Sequence, residues 1–519
     1  MVVTELIDHT ALQYPRRLAF SGSGGEFTYS QLTRLSNQVG NKLVNSGYMK
    51  GDKFAIFTPN CGIAVIAQLG AIKAGLAWCN VNLKNVVADN IDILGRGECD
   101  VLFYHSSVGD TAREIQIGAP SIQLMVCLDK PDDDAPYLID WLADASDESP
   151  GIELSSADDI GLQGATGGTT GLPKLTQSPQ AMLGMGVYYL GTLMAVENIP
   201  LVNLCVAPIT HASGLVCLGT LVAGGTNIMM ASANIEGIID HLQNDHVTNL
   251  FLPPTLVYVL LKHRRIRDSK YPDLRYLLTA GAPIAAQKIA EAISVFGPVM
   301  CQVFAQSEAG MPVTFISPDE TATASADPAK RHLLQSCGKK TGMIDEIGIM
   351  DAAGNLLPPG KSGEIVLRGP TIMKGYLNDP EATAQVQAFG WHHSGDVGYL
   401  DEDGYLFIND RMRNMIISGG FNIFPLEIEQ VLFTHPCVQE CAVVGVVDDK
   451  WGEAVTGVIV LAPGASFDEQ ELITFCKDAL GSMKAPKSIV LIDSMPRSAV
   501  GKVLKRKIRD GLNAQADSA

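Results

Sequence analysis

Short apolar segments recur along the chain as far as residue 305, each the length of one buried strand. They are FAIFTP (54–59), VLFY (101–104), LMVCL (124–128), NLCVAP (203–208), NIMMA (227–231), NLFLPP (249–254), YLLTAG (276–281) and VMCQVFA (299–305). Helical patterns separate many of them. In residues 29–45, Leu32, Leu35, Val39 and Leu43 fall on one helical face, and Thr28 stands where an N-cap belongs. Alternating strands and helices predict an α/β fold: doubly wound, largely parallel sheets with helices on both faces. After about residue 340 hairpin-like pieces appear, such as EIGIMDAAGNLLPPGKSGEIVLRG with a turn at Ala353-Gly354-Asn355. They predict a small antiparallel or barrel-like unit. Beyond Asp410-Arg411 come a helix at 425–434, strands at 441–447 and 454–461, and a helix at 469–480, enough for a small α+β domain. We therefore expect a large domain over 1–410 and a small one over 411–519. No Pro/Ser linker marks the border, so the joint is expected to be a short hinge.

Two stretches without charge, 175–196 and 198–235, are long enough to span a bilayer. Pro179, Pro208 and the pair Gly224-Gly225 break them, and Gln177, Asn203, His211 and Asn227 interrupt them with polar groups. They read as buried strands and helices, with no transmembrane segment. The net charge of −18, from 38 basic and 56 acidic residues without a basic run, argues against binding nucleic acid or an anionic membrane. The 11 cysteines include no CxxC pair, which fits free buried thiols. Glu5 and Asp8 stand where a secretory signal would carry a basic start and an apolar run. A cytoplasmic location is expected.

The segment GATGGTTGLPK (164–174) is the strongest motif. Gly167, Gly168 and Gly171 let the backbone approach a phosphate. Thr166, Thr169 and Thr170 offer hydroxyls, and Lys174 adds a cation after the stiff Pro173. A flexible Gly/Thr surface loop is the plain alternative. The segment is not a GxxxxGK[ST] loop. The chain also lacks the GxSxG of many hydrolases and the GxGxxG of dinucleotide-binding folds.

The order Thr-Thr-Gly-Leu-Pro-Lys resembles the core signature of the adenylate-forming superfamily. Its members include acyl-CoA synthetases, aryl-acid ligases, peptide-synthetase adenylation domains and beetle luciferases. The resemblance runs from about residue 10 to 510, with further motifs in the family's order. In PITHASG (208–214), His211 alone reads as a structural histidine; the resemblance implies that it lines the acyl pocket and seats the carboxylate. In TAGAPI (279–284), Ala280, Gly281 and Ala282 are implied to border adenine and the acyl pocket. In VFAQSEAG (303–310), Phe304 is implied to stack on adenine, Ser307 to donate to the α-phosphate and Glu308 to hold Mg²⁺. Ala305 replaces the family's usual Gly and narrows the acyl pocket; Ser307 replaces the usual Thr and keeps its hydroxyl.

Further motifs follow. Asp396 in HSGDVG is implied to accept hydrogen bonds from both ribose hydroxyls, and Arg411 to reach the ribose or phosphate. In RMRNMIISGGFNIFP (411–425), Arg413 takes the hinge position and Asn414 stands where an acidic residue is common. Gly419, Gly420 and Trp451 are implied to lie along the pantetheine arm of coenzyme A, although Trp451 also suits a core. Near the C-terminus, Lys502 is implied to swing into the site and bridge carboxylate and α-phosphate. Lys505, Arg506 and Lys507 read as solvated charges. Gly167 and Leu175 replace the family's usual Ser and Gly.

The implied reaction uses ATP and Mg²⁺ to make an acyl-adenylate, then passes the acyl group to a thiol, that of coenzyme A or of an acyl carrier protein. A non-catalytic nucleotide-binding member of the fold is the other reading, and a homodimer stays open. Segments 211–217, 251–260 and 301–313 are expected to wall the acyl pocket. They carry no Lys or Arg, which predicts a hydrophobic monocarboxylate: medium-chain, aryl or alicyclic.

Overall fold

The computed structural model describes residues 1–166, 173–497 and 503–516. Two large sheets and two small ones organise them. The first large sheet has seven strands. Its parallel centre is Ile160–Gln163, Ala77–Cys79, Lys53–Phe57, Val101–Tyr104 and Leu124–Cys127, in that spatial order. The short strands Thr176–Pro179 and Gly375–Tyr376 add an antiparallel edge. The second large sheet has nine strands, parallel from Met300–Gln306 through Tyr276–Thr279, Asn249–Phe251, Val202–Cys205 and Thr226–Met229 to Leu18–Gly22, with antiparallel strands at both edges. Each apolar segment singled out in the sequence supplies one of these strands.

A shared layer of helices lies between the large sheets, and its core joins Phe54, Trp78 and Phe103 of the first to Phe20, Cys205 and Met229 of the second. The helix Gly62–Lys73 is apolar on all sides and wholly buried there. Tyr29–Asn45 packs on it, started by a capping box between Thr28 and Gln31 and burying Leu32, Leu35, Val39 and Leu43. The contact is so close that a Cβ on Gly70 would stand 2.4 Å from Val39 Cβ, so only glycine fits. The uncharged stretches fold here as pieces, the strand Thr176–Pro179 and helix Gln180–Met194, then the helix Ala212–Val222 between two strands. Among the described residues no helix is long and apolar enough to cross a membrane. Outer helices cover the remaining faces of both sheets.

The hairpin-rich stretch is a four-stranded antiparallel sheet: Glu346–Met350, Gly363–Arg368, His392–Leu400 and Leu406–Arg411. It packs on the end of the nine-stranded sheet through Phe304, Val313, Ile365 and Leu406. Beyond it stands a separate five-stranded sheet, with Pro425–Leu432 and Glu469–Leu480 against one apolar cluster and Lys505–Ala516 against another. This is the small α+β domain.

The topology sets where a ligand can bind. Ile160–Gln163 runs parallel to its sheet, and the 164–174 segment leaves its C-terminal end. Val202–Cys205 lies between Thr226–Met229 and Asn249–Phe251, so connections on its two sides diverge and leave a crevice beyond its C-terminal end. His211 follows that strand.

Candidate active site

The 164–174 segment rises from a short antiparallel neck. Thr176 N–H donates to Gly164 O at 2.8 Å, Ala165 pairs with Leu175, and Thr166 N–H donates to Lys174 O at 2.8 Å. The Asn80 side chain braces the neck by accepting from Ala165 N–H at 3.0 Å. Gly167, Gly168, Thr169, Thr170 and Gly171 lie outside the described residues. Leu175 belongs to the outer core of the seven-stranded sheet, which accounts for a large apolar residue at that position. Lys174 Nζ sits 3.4 Å from Asp379 Oδ2 and 5.0 Å from the ring centre of Tyr376. Asp379 also caps the helix Pro380–Val386, whose Asp-Pro start is a readable N-cap signal.

Tyr376 connects this cation to the next motif. Its hydroxyl donates to Glu308 Oε1 at 3.1 Å. Burial, then the Glu308 charge, pushes the Tyr376 phenol up from its usual value, so it stays a donor at neutral pH. Glu308 is half-buried and Ser307 exposed, both just past the strand Met300–Gln306. Phe304 is only 6% exposed, packed among Val313, Ile349 and Ile365. That leaves little more than its rim for a base. Ala305 lies on the other side of the strand with Leu278, Val303 and Met311.

Asp396, 5% exposed, lies opposite Arg411 on paired strands. Its Oδ1 is 3.3 Å from Arg411 Nε, and its Oδ2 accepts from Gln306 Nε2 at 2.7 Å. Near the same place, burial and then the Arg411 charge push the Arg413 guanidinium below its usual value, while Asp396 and Glu308 pull the other way. The contacts thus run from Lys174 through Tyr376 to Glu308, and from neighbouring Gln306 through Asp396 to Arg411. Three motifs far apart in sequence are joined by two chains of contacts that meet at residues 306–308.

His211 precedes the helix Ala212–Val222, with Nδ1 3.0 Å from Thr210 Oγ1. The turn before it is pinned by buried Asn60, which donates to Ala207 O and accepts from Ile209 N–H. Ala280 is buried beside Leu278, whereas Gly281 and Ala282 are exposed; Gly281 takes a left-handed φ of 86° that favours glycine. In the small domain Gly419 N–H donates to Trp451 O at 2.8 Å, and a Cβ on Gly419 would lie 3.1 Å from the indole. Gly420, next to it, is exposed. Lys450 and Lys487 lie 5.0 and 5.1 Å from the Trp451 ring.

The C-terminal end brings one correction. Lys502 falls outside the described residues. Lys505, expected to be a solvated charge, is turned inward: Nζ lies 2.8 Å from Glu429 Oε1 and 3.6 Å from Asp410 Oδ2. A Lys–Arg–Lys run looks like a polar surface, but here it opens a helix whose first residue faces two buried carboxylates; Arg506 and Lys507 are exposed as expected. Asn414 gains a role from the same group, donating to Asp410 Oδ1 at 2.8 Å. Gln306, Tyr376, Asp410 and Glu429 were missed in the sequence. Gln306 and Asp410 stood inside motif stretches the sequence had already singled out, 303–310 and the border at Asp410-Arg411; Tyr376 and Glu429 stood in no motif.

A mixed α/β large domain with charged and polar side chains gathered from several motifs, followed by a small α+β domain, defines a nucleotide-dependent two-domain enzyme class. The chain belongs to the AMP-binding enzyme family: residues 7–377 match the family and residues 427–502 match the AMP-binding enzyme C-terminal domain. Feruloyl-CoA synthase of an Amycolatopsis species is 31% identical over 507 residues, 95% of this chain and 96% of that protein. Among solved structures, the amide bond synthetase McbA from Marinactinospora thermotolerans is 26% identical with a TM-score of 0.87, covering 98% of this chain and 100% of its own. ATP-bound MatB from Rhodopseudomonas palustris is also 26% identical, with a TM-score of 0.87 and 99% of each chain covered.

Proposed function

We propose that the protein is an acyl-CoA synthetase that activates a hydrophobic carboxylic acid with ATP. One observation carries the reading: two chains of contacts, Lys174–Tyr376–Glu308 and Gln306–Asp396–Arg411, meet at residues 306–308, with groups suited to phosphate, metal and ribose from sequence-distant motifs. The overall likeness to a feruloyl-CoA synthase and to ATP-bound MatB supports it.

In the first half-reaction a carboxylate oxygen of the acid attacks the α-phosphorus of ATP. The bond to the β-phosphate bridging oxygen breaks, and pyrophosphate leaves with that electron pair. No protein nucleophile is needed; positioning and charge neutralisation do the work. The 164–174 segment, with Thr166 and Lys174, holds phosphate. Ser307 donates to the α-phosphate, Asp396 takes both ribose hydroxyls, and Arg411 supports them. The base lies against the 280–282 turn and the rim of Phe304. Glu308 is a suitable Mg²⁺ ligand, since this ion takes one or two carboxylates together with substrate phosphates and would neutralise charge there. Lys502 bridges carboxylate and phosphate as charge develops, and His211 seats the acid.

In the second half-reaction the thiol sulfur attacks the acyl carbon and AMP leaves. We take the joint to lie at Asp410-Arg411, with 411–519 turning about Arg413 between the two halves. Gly419, Gly420 and Trp451 then meet the pantetheine arm, and Lys450 and Lys487 beside the indole suit a phosphorylated carrier. Ala305, Gly281 and the apolar cluster around Leu278 and Met311 favour a hydrophobic monocarboxylate. A reducing cytoplasm suits the free cysteines.

The likeness to an amide bond synthetase favours a second reading, with an amine as acyl acceptor. It shares the first half-reaction. ATP-dependent pyrophosphate release should therefore be measured over a panel of acids, with coenzyme A, a carrier-protein thiol or an amine as acceptor. We expect release with apolar monoacids and a thioester with coenzyme A; a second carboxylate on a good substrate should abolish turnover. ATP binding without release for any acid would sink the enzyme reading.

A further inference from the structure

The Gln306 amide makes three contacts with the strand His392–Leu400. Nε2 donates to Asp396 Oδ2 at 2.7 Å and to Ser394 O at 3.0 Å, while Oε1 stands 3.4 Å from His392 Nε2. A carboxylate and a carbonyl on one side require the NH₂ end there, so Oε1 is turned to His392. His392 is 3% exposed; burial, with a smaller effect of His393, pushes its pKa down to about 4. The ring therefore carries one proton at neutral pH. Its Nδ1 is buried without a hydrogen-bond partner among the described residues. Only the tautomer with the proton on Nε2 makes a bond, and that bond goes to Gln306.

We propose that His392 and Gln306 are positioning residues for nucleotide recognition, the imidazole fixing the amide and the amide fixing one oxygen of Asp396. Arg411 holds the other oxygen at 3.3 Å, so the carboxylate plane is pinned from both sides. A pinned carboxylate keeps a fixed direction toward a pair of vicinal hydroxyls; a free one rotates and loses the second bond. The relay rests on the ribose role proposed above for Asp396. It adds that discrimination for the diol depends on two residues that never touch the nucleotide. Without His392 the amide can turn its oxygen to Asp396, and attraction becomes repulsion.

The test compares kcat/KM for ATP and 2′,3′-dideoxy-ATP, read by pyrophosphate release, with dissociation constants for both nucleotides from calorimetry. The wild type should prefer ATP. Gln306→Leu should cut that preference about tenfold, the effect of one lost hydrogen bond to a charged group, with the loss falling on ATP. His392→Phe should act in the same direction, and His392→Gln, whose NH₂ can stand in for Nε2–H, should recover most of the preference. Unchanged discrimination in Gln306→Leu, or a His392→Gln no better than His392→Phe, overturns the relay while leaving the ribose role of Asp396 intact. A wild type that does not distinguish the two nucleotides overturns that role and the relay with it. Should Gln306→Leu fail to fold, the two His392 variants carry the same comparison.

Discussion

Asp396 and Asp410 are near neighbours on paired strands, almost equally buried, and each faces a cation; yet they are built for different tasks. Asp396 is contacted by Gln306 and Arg411, both on strands that end by residue 411. Asp410 reaches forward instead: it accepts from Asn414 at the joint and from Leu426 N–H at the start of a small-domain helix, and faces Lys505 near the C-terminal end. Asp396 is held by Gln306 of the large domain and by Arg411 at the border itself. Asp410 accepts locally from Arg411 N–H at 2.6 Å and takes its other partners from residues further along the chain, Asn414, Leu426 and Lys505. The proposed ribose site and the proposed joint thus fall within one β-hairpin, and the two carboxylates differ in how far along the chain their partners lie.

Breaking the joint should give the larger effect. Lys505→Met would leave Glu429 and Asp410 without their shared cation. Removing one partner of a buried pair costs about 3–5 kcal/mol, and denaturant unfolding of the small domain should register it. Burial raises the Glu429 carboxyl above its usual value even with Lys505 present. A carboxyl whose folded pKa is raised favours the folded state below its unfolded pKa, and that advantage fades as pH rises through the folded value. The Lys505→Met deficit should therefore be full at pH 8 and shrink toward pH 5 as Glu429 takes up a proton. A pH-independent deficit would show that the ion pair is not the cause. The dissociation constant for ATP should hardly move.

Asp396→Asn should reverse that pattern. Two charge-assisted hydrogen bonds to ribose lost, at about 1.5–2 kcal/mol each, predict a drop in kcat/KM for ATP of over 100-fold. The unfolding midpoint of the small domain should stay near that of the wild type. A variant that retained ATP use but lost small-domain stability would put Asp396 in the joint and erase the distinction.

Much of this was legible in the sequence. Period and length located the strands, because burial on both faces leaves continuous apolar runs. Asp396, Glu308 and Lys174 could be named because each stands in a motif whose residue types fit one chemical task. Tyr376, Glu429 and Lys505 could not. Their meaning lies in contacts across 68 residues for Tyr376–Glu308, and across two domains for Lys505, and nothing in local spacing encodes either. Phe304 shows the converse: the motif suggested an open ring face, and packing against the four-stranded sheet buries most of it. Chemistry is written locally, whereas support for it is tertiary.

Asn414 sharpens the comparison at its finest scale. The family resemblance implies an acidic residue at this position, and the hydrogen bond from Asn414 to Asp410 accounts for the amide here. Asn414→Asp would replace a donor by a second carboxylate against one already 7% exposed and already sharing Lys505 with Glu429. Like charges in contact raise the pKa of one of them. Loss of the bond should cost about 1–2 kcal/mol at pH 8, where both groups are ionised. The deficit should vanish as pH falls and one carboxylate takes up a proton, the sign expected for a folded pKa above the unfolded one. Protease cleavage within 411–416 should quicken at pH 8 and not at pH 5. Equal stability and equal cleavage at both pH values would mean that Arg411 N–H, Leu426 N–H and Lys505 hold Asp410 without help from residue 414, and that the proposed joint tolerates either residue there.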